Sequence, residues 1–241
     1  MANFLDNILA SSENLDVSQI TLSFTCGKLT NGILIVASQV RNSTNATFSN
    51  ITSVTFNGVS LTLANAQNST TGSRYESAEI WYLVNPPEGT FNIVVTYQSS
   101  VNFAAIGGMS FHGVDKKSPL DSTAGQTYTT LEGNPWTVSI TTITNNCLLI
   151  NSIYNSSDSA ISPNNGETEA WEVRVNSAGD SAAASYKLAV TPAGATTTGW
   201  NNGGAGADEA AMAVVAFTRQ TQPVFTQKTL RPRPFSPGIA R

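Results

Sequence analysis

The sequence predicts an all-β protein: an antiparallel β-sandwich or jelly roll with extended N- and C-terminal arms. Charged residues make up 12% of the 241 residues, about half of the ~25% that is usual, and the Ser, Thr, Asn and Gly that replace them suit strands and turns. Short runs that alternate apolar and polar residues also follow one another along the chain. We therefore divide the chain into an N-terminal arm (1–17), a β-sandwich domain (18–218) and a C-terminal arm (219–241).

The N-terminal arm contains the one helical pattern of the chain, formed by Phe4, Leu5, Ile8 and Leu9. The pattern is too short for an independent helix. We expect this segment to dock on the body or on a partner, or to form an extended arm.

The sandwich domain begins with residues 20–26, whose alternation predicts a strand with one buried face. Residues 33–40 are almost continuously apolar, which predicts a central strand covered on both faces. In segment 53–63, Asn57 and Gly58 lie between two alternating runs. Because Asn and Gly tolerate a positive φ, this pair predicts a type I′ hairpin.

The next two runs, 78–84 and 90–97, flank a Pro-Pro-Glu-Gly turn, and we expect them to pair as antiparallel neighbours. Gly107 and Gly108, inside the run 103–111, predict a bulge or a close approach by another segment. The further predicted strands are 136–143, 147–154, 167–175, 183–190 and 210–217.

After residue 217 the alternation stops, and four prolines exclude an interior strand from the C-terminal arm. The arm carries five basic and no acidic side chains, whereas residues 1–218 carry seven basic and all sixteen acidic ones, a charge of −9. Such a segment gains order by lying on another surface, where arginines pair with carboxylates and apolar residues fill pockets. The alternative is a tail without a partner. The predicted subunit contacts are Phe225, Lys228, Leu230, Arg231, Arg233, Phe235, Ile239 and Arg241.

The charge distribution also limits the partners. An acidic body argues against nucleic acid, because phosphates need a basic surface, while a neighbouring copy of the same body suits the basic arm. The sequence has no apolar run of membrane-spanning length and no secretory signal pattern at its N-terminus, so we expect no membrane partner.

Catalysis is not expected from these residues. His112 is the only histidine, and no G-x-S-x-G segment accompanies it. Glu167 and Glu169, in the acidic run that ends at Glu172, have a spacing that a glycosidase pair could use. Paired acids at the start of a strand are, however, typical of a solvated sheet edge.

A metal ion or cofactor is not expected either. One histidine and two cysteines exclude multi-histidine and four-cysteine sites. Asn201, Asn202, Asp208 and Glu209 offer oxygen ligands but lack the spacing of known calcium loops. The glycine-rich segment 203–208 lacks the Lys-Ser/Thr pair of a phosphate-binding loop.

Two aromatic residues and two thiols have alternative interpretations. Trp136 and Trp200 border Gly, Asn and Pro turns and are candidate glycan contacts, although such residues more often fill the core. Cys26 and Cys147 lie on predicted strands and could face each other across the sandwich. We expect free thiols if the chain folds in a reducing cytoplasm.

Four segments carry a family resemblance: N-G-I-L-I-V (31–36), V-T-F-N-G-V (54–59), W-Y-L-V-N-P-P-E-G-T (81–90) and S-F-H-G-V-D-K-K-S-P-L-D (110–121). Together they resemble all-β, jelly-roll-like domains found in bacteriophage structural proteins and environmental surface proteins. The resemblance implies a structural role in a virion, assembled in the host cytoplasm, and no catalytic residue.

The expected function is therefore that of a non-enzymatic structural protein that assembles on or into a virion, as a capsid decoration or as a tail or surface component. Its partners would be copies of itself and other virion proteins, reached through the C-terminal arm. The alternatives are a subunit of an extracellular filament and a carbohydrate-binding module on an extracellular surface.

Overall fold

Seventeen strands and no helix make up the part of the chain that the computed structural model describes, residues 4–42, 51–71, 74–128, 135–175, 179–203 and 209–220. This confirms the all-β class. The first nine strands are β1 Leu5–Asn14, β2 Val17–Cys26, β3 Ile33–Asn42, β4 Ile51–Phe56, β5 Val59–Ser60, β6 Thr62–Thr71, β7 Arg74–Val84, β8 Gly89–Val101 and β9 Phe103–Phe111. The remaining strands are β10 Leu120–Tyr128, β11 Trp136–Thr142, β12 Cys147–Asn155, β13 Ile161–Pro163, β14 Thr168–Val175, β15 Asp180–Val190, β16 Gly194–Asn202 and β17 Ala210–Phe217.

These strands form four antiparallel sheets, which we number by their place in a stack. Sheet I has the order β2-β8-β4-β5, sheet II β1-β9-β3-β7-β6, sheet III β10-β17-β12-β15-β14 and sheet IV β11-β16-β13. One apolar cluster lies between sheets I and II, a second between II and III, and a third between III and IV. The chain is thus built of two sandwiches packed back to back, where the sequence predicted one. The jelly-roll topology stays a prediction.

The two inner sheets are covered on both faces. In β3, Leu34 and Val36 belong to the cluster shared with sheet I, whereas Ile33, Ile35 and Ala37 belong to the cluster shared with sheet III. A strand packed on both sides has no polar face, which is why its sequence is continuously apolar. The predicted central strand over 33–40 is therefore confirmed.

Two local predictions about glycine are also confirmed. Asn57 and Gly58 connect β4 to β5 with φ values of 51° and 74°. Gly107 is a close approach, because a Cβ atom there would lie 2.1 Å from Nε1 of Trp171. At Gly108 the same atom would lie 2.8 Å from the Phe24 ring.

The N-terminal segment docks on the body, which is one of the expected alternatives, but it does so as a strand and not as a helix: residues 5–14 form β1 at the edge of sheet II. The register of β1 against β9 shifts between Leu5 and Asn7 and again between Leu9 and Ser12. Such shifts break the two-residue period of a strand. Leu5 and Ile8 both pack on the cluster between sheets II and III, so a bulged strand imitates helical spacing.

The predicted pairing of 78–84 with 90–97 is also wrong. β7 pairs with β3 and β6 in sheet II, whereas β8 pairs with β2 and β4 in sheet I. The Pro-Pro-Glu-Gly turn therefore carries the chain from one sheet to the other. Alternation in the sequence indicates which residues share a face but does not identify the partner strand.

The same strand order occurs twice in the chain. In sheet order, β1, β9, β3, β7 and β6 of half one (4–111) correspond to β10, β17, β12, β15 and β14 of half two (120–217). Likewise β2, β8 and β4 correspond to β11, β16 and β13. In half one, Leu5 and Ile33 both lie opposite Phe111. In half two, Leu120 and Leu148 both lie opposite Phe217.

Turn conformations repeat as well. Asn31 before β3 has a φ of 50°, and Asn146 before β12 has a φ of 63°. Gly89 and Gly194, which open β8 and β16, have φ values of 131° and 138°. The two halves therefore share backbone detail in addition to strand order.

An approximate two-fold axis relates the halves across the cluster between sheets II and III. The ring of Tyr82 on β7 packs edge-on against Phe217, with centroids 5.6 Å apart. Tyr186, at the equivalent position of β15, packs in the same way against Phe111, also at 5.6 Å. Such reciprocal contacts characterise an isologous interface, here built within one chain.

Equivalent ends of the two halves lie at the same end of this axis. The linker 112–119 joins the end of β9 to the start of β10, and the turns 27–32 and 143–146 lie at that same end. We call it the linker end. Near the opposite end an ion pair of 2.9 Å joins Arg41 on β3 to Asp180 on β15.

Candidate functional site

The predicted contact residues of the C-terminal arm lie outside the described residues, which stop at Gln220. These residues are Phe225, Lys228, Leu230, Arg231, Arg233, Phe235, Ile239 and Arg241. Their role as a subunit interface stays a prediction. The structure does describe the place where the arm leaves the body, which we call the arm root (residues 112–119 and 218–220).

Backbone hydrogen bonds fix the arm root at the linker end. Asp115 N donates to Thr218 O at 2.9 Å, and Gln220 N donates to Gly113 O at 2.9 Å. Gly113 N in turn donates to the carbonyl of Thr30, at 3.0 Å, in half one. The linker is thus held between half one and the end of β17, so the arm starts from a defined position on the body.

A groove of about 600 Å³ lies beside the arm root. Its walls come from the linker, from residues 218–220 and from the equivalent turns of the two halves, at Asn31 and at Thr144 and Asn145. Sequence reasoning missed this groove, because its lining residues come from four separate stretches of the chain. The only feature of the sequence that could have indicated the groove was the Lys-Lys pair at 116–117.

The two tryptophans considered as glycan contacts are buried, so of the two interpretations given for them the structure supports core filling. Trp136 is 1% exposed and Trp200 is 0% exposed, and they lie directly opposite each other on β11 and β16. Both belong to the cluster between sheets III and IV. Two large rings on a three-stranded sheet fill the space above sheet III, and this outweighs the turn residues beside them.

His112 has a structural environment at the arm root. Its Nδ1 accepts a hydrogen bond from Thr30 N at 3.1 Å, and its own backbone N donates to Phe4 O at 2.8 Å. Among the described residues, no serine hydroxyl or carboxylate is hydrogen-bonded to its ring. The imidazole therefore ties the linker to the β2–β3 turn.

The acidic residues around β14 have structural partners too. Glu167 accepts a hydrogen bond from Ser185 Oγ at 2.8 Å, and burial raises its pKa. Glu172 accepts from Ile161 N at 2.9 Å. The Glu169 side chain is exposed overall, but partial desolvation of its carboxyl group and the nearby Glu172 carboxylate raise its pKa. These contacts connect β14 to the neighbouring strands β13 and β15.

The oxygen ligands considered for calcium are only partly described. Asn202 and Glu209 are buried and Asn201 is exposed, whereas Asp208 and the glycine-rich residues 204–207 lie outside the described residues. Within the described ranges, no group of three His, Cys, Asp or Glu side chains could hold a metal ion. The expectation that no metal or cofactor is bound stays a prediction.

Cys26 and Cys147 are free, buried thiols, as expected. They belong to different clusters, so they do not face each other across one sandwich. They lie in different sandwiches because the chain forms two. Burial, assisted by the Asp6 carboxylate, raises the pKa of Cys26 to about 12. Burial also raises the pKa of Cys147. Raised pKa values keep both thiols protonated and unreactive.

A buried polar contact between the halves was not predicted. Asp180 is paired with Arg41 and also accepts a hydrogen bond from the Tyr154 hydroxyl. Gln39 Nε2 donates to Ser152 Oγ at 2.7 Å across the same interface. Arg41 and Asp180 are 139 positions apart, so no local pattern could have paired them.

In the described part of the chain, no helix reaches the length and apolarity that crossing a bilayer requires. Comparisons of the chain with family models, with curated proteins and with solved structures gave no match. The function therefore has to be argued from the residues and contacts themselves.

Proposed function

We propose that this protein is a non-enzymatic structural subunit that assembles on or into a virion, as a capsid decoration or as a tail or surface component. In this proposal the C-terminal arm docks on neighbouring subunits. The observation that carries the proposal is the arm root. There an acidic body of charge −9 meets an arm with five basic side chains, at a point fixed by backbone hydrogen bonds.

The fixed starting point matters for the energetics of docking. A tether held at a defined position raises the effective concentration of the arm at a neighbouring subunit. Prolines reduce the conformational entropy that the arm loses when it binds. The acidic surface of a second copy supplies the carboxylates that the arginines need.

One observation supports a structural role over a catalytic one, and a second supports it over carbohydrate binding. In the described residues His112, Glu167 and Glu172 each hold neighbouring segments together. The two tryptophans that would have favoured a carbohydrate-binding module lie inside the core. The proposal therefore keeps the assembly role and drops the lectin alternative.

The test compares the full chain with a chain that ends after Gln220, which keeps the whole arm root. Light scattering should show a large species for the full chain and a monomer for the shorter one. A matched variant that changes Lys228, Arg231 and Arg233 to Gln should assemble less and lose its sensitivity to salt. The proposal fails if the full chain is a monomer, or if the shorter chain assembles equally well.

A further inference from the structure

The groove beside the arm root has the size of a small-molecule site. Its volume of about 600 Å³ falls within the range of roughly 300–1,000 Å³ that ligand pockets occupy. It lies where the two halves meet, and the backbone bonds of the linker hold its walls in place. The described lining residues belong to the linker, to the turns of the two halves and to residues 218–220, so ligand binding in the groove would be a property of the body that goes beyond the proposed assembly role.

Positive charge is concentrated in this groove. Among the residues that the structure describes, Lys116, Lys117 and Arg219 line it, and Asp115 is the one acidic residue beside them. Ion pairs within the described residues are limited to Arg41 with Asp180 and Arg174 with Glu172, so none of the three cations is paired there. Three like charges in one groove repel one another, and an anion would relieve that repulsion.

The carboxylate of Asp115 is already engaged. Its Oδ1 accepts hydrogen bonds from Lys117 N at 2.9 Å and from Ser118 N at 3.4 Å. These bonds hold the linker in a turn whose lysines line the groove. Asp115 therefore shapes the cationic wall of the groove and forms no ion pair with it.

Arg219 is the most constrained of the three cations. Its guanidinium carbon lies 3.9 Å from the centroid of the Phe4 ring, a cation–π contact. Burial also lowers the pKa of Arg219. A guanidinium that is fixed and partly removed from water forms stronger hydrogen bonds to an oxyanion than a fully hydrated one.

A neutral donor completes the lining. Asn145 Oδ1 accepts a hydrogen bond from Ala193 N at 2.7 Å, which leaves its Nδ2 group as the donor. Asn145 lines the groove on the side of half two. The groove thus combines three cations with an amide donor, and its one carboxylate is bound to the backbone.

We propose that this groove binds a small, multiply charged oxyanion: an organic molecule that bears phosphate or carboxylate groups. Lys116 and Lys117 supply charge, and Arg219 supplies paired N–H donors. The groove is larger than a single inorganic ion needs, so at least two anionic groups can be engaged at once.

The test is isothermal titration of the full chain with pyrophosphate and with citrate, at a fixed ionic strength set with sodium chloride. Saturable binding of either probe is expected, and the probe that binds more tightly identifies the preferred group. The double variant Lys116→Gln/Lys117→Gln should weaken binding at least tenfold. Arg219→Lys, which keeps the charge but removes the fork of donors, should weaken it less than Arg219→Gln.

Lys28→Gln is the matched control. Lys28 is an exposed lysine in the 27–32 turn at the same end of the molecule, but it does not line the groove. Binding should be unchanged in this variant, and the unliganded variants should unfold at the same temperature as the parent chain. The proposal is overturned if neither probe saturates, or if Lys28→Gln weakens binding as much as the groove variants do.

Discussion

At the scale of the residue, one aspartate in each half fastens the first strand to a turn. Asp6 accepts hydrogen bonds from Gly27 N at 2.9 Å and from Ser110 Oγ at 2.7 Å. Asp121 accepts from Ile143 N at 2.7 Å and from Thr144 N at 2.8 Å. Each aspartate follows a leucine at the start of its half, so Leu-Asp marks the same position twice.

We predict that the contribution of Asp121 to stability depends on pH. Burial raises the pKa of this carboxyl, but the hydrogen bonds from Ile143 and Thr144 outweigh burial and hold it below its ordinary value. A carboxyl with a lowered pKa stabilises the fold above its unfolded pKa and loses that contribution as the pH falls. Asp121→Asn should therefore lower the free energy of unfolding by about 1.5 kcal/mol at pH 7. The difference between the two proteins should become smaller towards pH 3.

Urea unfolding of both proteins between pH 7 and pH 3 measures this difference. Asp158→Asn is the control, because Asp158 is exposed and no hydrogen bond of its side chain is described. A cost for Asp121→Asn that stays constant over the whole pH range would contradict the role given to the carboxylate.

At the scale of the element, the sequence predicts strands well and their partners poorly. Residues 33–40 and the Asn57-Gly58 hairpin could be predicted because burial on both faces and positive φ are local properties. The partners of β7 and β8 could not, because alternation is the same whichever strand lies alongside. β1 was missed because its bulges disturb the alternation.

The candidate site likewise has one part that could be predicted from the sequence and one part that could not. The basic arm could be predicted from composition and charge alone, since both are properties of one continuous segment. The groove could not, because packing brings together Asn31, Thr144 and the linker from distant parts of the sequence. The burial of Trp136 and Trp200 was also a matter of packing, decided by the second sandwich.

We predict that equivalent substitutions in β9 and β17 lower the free energy of unfolding by equal amounts. Phe111 and Phe217 are both fully buried, and each packs against the equivalent tyrosine of the other half. Phe111→Leu and Phe217→Leu should each lower the free energy of unfolding by about 1–2 kcal/mol. The two values should agree within about 0.5 kcal/mol, the usual scatter for independent sites.

Urea unfolding measures both costs. Phe91→Leu is a useful comparison, because the Phe91 ring on β8 is only partly buried. This substitution should lower the free energy of unfolding less than either substitution at the interface. If one of the two interface substitutions proves at least twice as costly as the other, the halves do not contribute equally to their interface.

At the scale of the whole molecule, sheets II and III join two sandwiches into one body. Their shared cluster contains aromatic and aliphatic side chains from both halves, together with the polar bridge of Arg41 and Asp180. The linker is a separate connection, formed by residues 112–119. The halves should therefore stay together when the linker is cut, because burial of the apolar interface contributes more to their association than the linker does.

We predict that the body survives a cut in the linker. With a specific protease site inserted between Lys116 and Lys117, the cleaved chain should elute from gel filtration at the position of the uncleaved one. In 6 M urea the two pieces should separate, and this serves as the control. Separation of the pieces in buffer would mean that the linker, and not the interface, holds the halves.

The four-layer stack also gives the molecule a fixed thickness. Packed sheets lie about 10 Å apart, so three such spacings place the outer sheets I and IV about 30 Å from each other. The faces of these two sheets point in opposite directions, and neither sheet can move without disturbing an apolar cluster. Whatever contacts the two faces is therefore held at a constant separation, so the molecule can act as a rigid spacer.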